Sequence, residues 1–146
     1  MSNASKYDTD FYAWATEQAT LLRQGRFAEA DIANIAEEID SMVRSEKREL
    51  SNRLTVLLTH LLKWQLQPGH RGNSWRLTIR DQRSELADHL NDNPSLRPSL
   101  AEAMVAAYHR AVGAAERETG LAETVFPASC PWTPDQVLSD GFLPDN

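Results

Sequence analysis

The chain has 146 residues, of which 41% are hydrophobic and 25% charged, with a formal net charge of −6. That length suits one domain, residues 1–146, with a core large enough to need no disulfide or metal staple. The acidic balance disfavours nucleic acid as a partner, because phosphates repel such a surface at long range.

The lone cysteine, Cys130, cannot close an internal disulfide. Residues Met1 to Asp10 are polar and lack the apolar run of a leader peptide. No stretch reaches the ~20 apolar residues of a membrane span. The expectation is a soluble, cytoplasmic protein.

Strand signals are absent, and helical periodicity dominates. A first helix is expected from about Asp10 to Arg23, capped by Asp8 or Thr9 and stopped at Gly25, with Phe11, Trp14, Ala15, Leu21 and Leu22 on one face. From Ala28 to Gln67 there is neither Gly nor Pro. Ile32, Ile35, Ile39 and Met42 form one apolar stripe there, and Leu50, Leu54, Leu57 and Leu61 another. The polar run Arg44 to Arg48 separates them. This segment is either one long helix or two helices broken near Ser45.

Pro68 to Asn73 reads as a loop. Asn73 or Ser74 then caps a helix from Trp75 to about Leu90, which ends before Pro94. A further helix starts at Ser95 or Ser99 and stops at Gly120, with Leu96, Leu100, Met104, Ala107 and Ala111 inward. In the proline-rich tail, Thr133-Pro134-Asp135-Gln136 has the spacing of a capping box and predicts one short helix. Phe126, Trp132, Val137, Leu138, Phe142 and Leu143 would pack that tail back onto the bundle. The fold class is thus all-α: a bundle of about five main helices plus a short C-terminal helix in an extended tail.

Charge is unevenly spread. Residues 27–50 hold seven acids against three bases, and residues 60–83 hold five bases against Asp81 alone. An antiparallel hairpin about Pro68-Gly69 would set Trp64 near Trp75 and Ile79, and His60 near Arg80. Arg76, Arg80 and Arg83, spaced i, i+4, i+7, share a face. With Lys63, His70, Arg71 and Ser74 they make a candidate surface for an anion or an acidic partner, since guanidinium forks grip carboxylate and phosphate. A purely structural reading pairs the arginines with Glu37, Glu38 and Asp40 instead.

Glu85 and His89, at i, i+4, could touch, but a histidine near a helix end is more often a simple cap or pair. The Glu-x-x-His and His-Glu-x-x-His signatures are missing, so no metal and no cofactor is expected. Cys130 has no base near it in sequence, and no glycine-rich phosphate loop is present.

Motifs along nearly the whole chain carry a family resemblance. They include Tyr7 to Trp14, Leu21 to Phe27, Ile35 to Ile39, Leu58 to Gln65, Ser74 to Ile79, Gln82-Arg83, Asn93 to Leu96, Glu118 to Leu121, Phe126-Pro127 and Cys130-Pro131. In these the chain resembles the bacterial family called domain of unknown function 29. The resemblance implies an all-helical bacterial protein and brings no activity with it.

The functional expectation is a non-catalytic helical interaction module that self-associates as a dimer, with an anion or acidic-partner surface at residues 60–83. The alternative is a small hydrolase or nuclease-like enzyme using His60, Glu37 or Glu38, and the Arg76, Arg80 and Arg83 face.

Overall fold

The computed structural model describes residues 6–145. Six α-helices occur among them: α1 (Lys6–Thr9), α2 (Phe11–Arg23), α3 (Ile32–Leu66), α4 (Asn73–Asp92), α5 (Leu100–Thr119) and α6 (Pro134–Leu138). Short 3-10 turns lie between them, and no strand is present among the described residues. The all-α expectation holds. The long helices number four rather than five, because Arg44 to Arg48 does not break α3. Its 35 residues run on without interruption, a length of ~52 Å at 1.5 Å per residue. A polar run removes apolar contacts but leaves the main-chain ladder intact, since every residue in it keeps the N–H that a proline would remove.

Several boundaries differ from expectation. α1 precedes the first expected helix, and the cap of α2 is Asp10, whose carboxylate accepts from the Ala13 N–H at 3.1 Å. α3 starts at Ile32, after a 3-10 turn at Phe27–Glu29, rather than at Ala28. α4 starts at Asn73 with Gly72 in the cap position, so neither Asn73 nor Ser74 caps it. α5 starts at Leu100, after the 3-10 turn Pro94–Ser99. The stop at Gly120 is as expected, in the left-handed region with φ 75°. The capping box of Thr133 and Gln136 is formed at α6.

The described chain divides into two compact units, Met1–Ser45 and Glu46–Asn146. In the first, Trp14 and Leu21 are buried while Phe11 and Leu22 are exposed. Tyr7 and Phe11 pack their rings against Trp14. Polar bonds complete the unit. The Trp14 indole N–H donates to Asp31 at 3.0 Å, and Gln18 accepts from the Asp31 main-chain N–H at 2.7 Å. Hydrogen bonds from Asn34 and then Trp14 hold the Asp31 carboxyl below its usual range. The stripe Ile32, Ile39 and Met42 stays 54%, 55% and 64% exposed.

The second unit holds the main core. Leu54, Leu57, Leu58, Leu61 and Leu62 of α3 are fully buried against Ile79, Leu86 and Leu90 of α4 and Met104, Ala107, Tyr108 and Ala111 of α5. Alanine at the α5 positions lets a helix approach closely. The tail closes this core with Phe126, Trp132 and Val137. The Tyr108 hydroxyl donates to the Pro127 carbonyl at 2.6 Å, and burial pushes its pKa up to about 12.

Packing of this kind predicts sharply unequal mutational costs. Leu57→Ala should lower the free energy of unfolding by about 3 kcal/mol. Val105→Ala, at an exposed position of α5, should change it by no more than about 0.5 kcal/mol. Equilibrium urea denaturation measures both.

Candidate functional site

The corner joining α3 and α4 assembles around two tryptophans. Trp64 is buried and Trp75 half-buried. The Lys63 ammonium lies 4.8 Å from the centre of the Trp75 ring and 3.4 Å from Glu118. Arg71 and Arg76 both set their guanidinium groups over Trp64, at 5.2 Å and 5.5 Å. Arg71 also donates to the Trp64 carbonyl at 2.7 Å. Cation–π contacts contribute about 0.5–1 kcal/mol at exposed positions such as Arg76 and more where water is excluded. The hairpin geometry therefore brings Lys63, Trp64, Arg71, Trp75 and Arg76 together. His70, in the 3-10 turn Pro68–His70, and Ser74, in the first turn of α4, are exposed beside them.

The remaining predicted residues go elsewhere. His60 is not drawn to Arg80. Its Nδ1–H donates to the Val56 carbonyl at 2.9 Å, and its charged neighbours are Lys63 and Glu118. Burial pushes its pKa below the ordinary value. Arg80 pairs with the adjacent Asp81 at 3.0 Å. Glu37 pairs with Arg44 at 3.2 Å, and Glu38 accepts from the Tyr7 hydroxyl. The arginines of the corner thus have partners other than Glu37 and Glu38.

Arg83 is the clearest departure from expectation. It is 4% exposed, and its guanidinium donates to the carbonyls of Val137 at 2.8 Å and Phe142 at 2.7 Å. Burial lowers its pKa while Asp140 opposes the shift. The i, i+4, i+7 spacing is present, but its last member turns two of its donors to the tail.

Arg76, Arg80 and Arg83, with Ile79, Leu138 and Leu143, line a cleft of about 670 Å³ between α4 and the tail. Asp88 and Asp140 also lie on its wall. It has an apolar floor and two exposed guanidinium groups, Arg76 and Arg80. Such a surface suits a carboxylate or phosphate attached to an apolar body.

A second constellation escaped sequence reasoning. His89 does not pair with Glu85. It meets Glu46 and Glu49 of α3 at 3.5 Å and 3.4 Å. Glu85 pairs instead with Arg53 at 3.5 Å. The only local signal was Glu46-x-x-Glu49 on one helix face, since His89 is forty residues away in sequence. Cys130 is half-buried, donates to the Trp132 carbonyl at 3.5 Å, and has its thiol pKa raised by burial. That environment disfavours the thiolate.

The chain matches the family described as "Domain of unknown function DUF29" over residues 6–143, nearly its whole length. No curated protein and no solved structure matches it.

Three outcomes follow from this geometry. Arg83→Ala should cost about 3 kcal/mol, because it strands one buried and one partly buried carbonyl, and should expose the tail to limited proteolysis. Arg80→Ala should cost less than about 1 kcal/mol, as its ion pair is at the surface. For His60 the folded pKa lies below the unfolded one, so the unfolded chain binds more protons just below pH ~6.5. Its contribution to stability is complete above that pH and is lost as pH falls toward the folded pKa. His60→Gln should therefore flatten the pH dependence of urea unfolding in this window.

Proposed function

We propose a self-associating, non-catalytic interaction module as the function of this chain, which belongs to the family of the domain of unknown function DUF29. The observation that carries the reading is the bare apolar stripe on the N-terminal part of α3. Ile32, Ile39 and Met42 are each more than half exposed, as is Val43. Soluble single chains usually avoid contiguous apolar surface of this kind.

The spacing of Ile32, Ile35, Ile39 and Met42 is three, four, three. That is the seam of a left-handed helix pair, in which each knob enters a hole on a matching helix. A second copy supplies such a seam, most simply through a twofold axis. The occupant proposed is therefore the same segment of another chain.

The cleft beside Arg76 and Arg80 favours an additional role in holding an anionic group or an acidic partner. The hydrolase or nuclease-like alternative has less behind it. Its Arg83 is occupied by tail carbonyls, and His60 directs one ring nitrogen to its own helix.

Light scattering coupled to size exclusion tests the dimer. The expected mass is twice the 16.4 kDa of one chain. The double variant Ile39→Lys, Met42→Glu should run at the mass of one chain with an unchanged far-ultraviolet circular dichroism spectrum. A wild-type mass of one chain at every concentration would refute the reading.

A further inference from the structure

Glu46 and Glu49 stand three residues apart on α3, and His89 reaches them from the last turn of α4. One ligand atom from each lies within 4.8 Å of the other two. His89 is 6% exposed. Its Nε2 lies 2.9 Å from the main-chain carbonyl oxygen of Glu46. A carbonyl only accepts, so Nε2 carries the proton, and in the neutral ring Nδ1 is left with a lone pair. That lone pair faces Glu46 Oε2 at 3.5 Å and Glu49 Oε2 at 3.4 Å. With the ring neutral, three acceptors converge, one of them on a buried ring. A metal cation or a proton on Nδ1 makes that arrangement favourable.

The two distances from the ring fit a metal ion, and the carboxylate oxygens lie within 4.8 Å of one another. Ligands about 2.1 Å from a tetrahedral centre are about 3.4 Å from one another. The surroundings resemble an outer coordination shell. Arg53 donates to Glu49 Oε1 at 3.0 Å, which leaves Oε2 directed at the ring. Asn93 donates to Glu46 Oε2 at 3.4 Å. The imidazole itself is oriented by a carbonyl through its far nitrogen, as metal-binding histidines are. Outside lies an open basin of about 360 Å³, whose wall adds Glu85, Asp88 and Asp92. Its negative potential would draw cations inward.

We propose that Glu46, Glu49 and His89 form a binding site for one divalent transition-metal cation. One imidazole and two carboxylates suit Zn²⁺ better than Mg²⁺ or Ca²⁺, whose sites are built of oxygen. Three protein ligands leave at least one position for water. The rival occupant is a proton on Nδ1, making an imidazolium held by two carboxylates.

Calorimetric titration of the chelator-stripped full chain with Zn²⁺ separates the two. The expected result is one equivalent bound per chain. His89→Gln and Glu49→Gln should each weaken binding by more than ~10-fold, the scale at which even outer-shell changes act. Glu123→Gln, distant in sequence and absent from the basin, should leave binding unchanged. Glu49 is partly exposed, so its variant decides the matter if the His89 variant fails to fold. Failure to take up Zn²⁺ would overturn the proposal. So would uptake untouched by either ligand substitution, or nitrogen NMR showing both His89 ring nitrogens protonated in the presence of equimolar Zn²⁺.

Discussion

Six leucines within α3, at positions 50, 54, 57, 58, 61 and 62, leave almost no surface to water. Their positions wrap around more than one side of the helix, so a single neighbour cannot cover them. Burial on several sides is the constraint that the Glu46–Asn146 unit answers. α4 brings Ile79, Leu86 and Leu90, α5 brings Met104, Ala107 and Ala111, and the tail brings Phe126, Trp132 and Val137. At ~25 cal/mol per Å² of apolar surface, this cluster is the main source of stability for the unit. The polar features described above for this unit sit at its margins, fixed by helices whose spacing the leucines set.

Residues 6–45 follow a different logic. Their burial rests on Trp14, Leu21 and Gln18, and on a polar knot at Asp31. The apolar groups of α3 in this stretch lack the cover that the leucines have. A sequence with the same 3.6-residue rhythm throughout thus has two fates, decided by what lies against it.

What the sequence made legible was local. Gly120 and the Thr133–Gln136 box act on main-chain groups within four residues, so their chemistry could be read from spacing alone. The tryptophan corner was legible because a short turn forces neighbours on either side of it to meet. What stayed hidden depended on distant chain. Arg83 shares a face with Arg76 and Arg80, and only the fold of the tail separates their roles. His89 looked like a partner for Glu85 four residues away, whereas its ring turns to α3. Rules of local spacing have no counterpart for such pairs, because no helical period links residue 46 to residue 89.

Arg83 holds the tail by two main-chain carbonyls, those of Val137 and Phe142. A grip on carbonyls is blind to the side chains that lie between them. Ser139 and Asp140 are exposed, so drift in their identity leaves both bonds in place, while Gly141 is constrained by its φ of 82°. Length is another matter. One residue added or removed between the two carbonyls displaces the second by up to ~3.5 Å, beyond the reach of a fixed guanidinium fork. This segment should tolerate substitution and resist insertion, the reverse of what an exposed loop ordinarily allows.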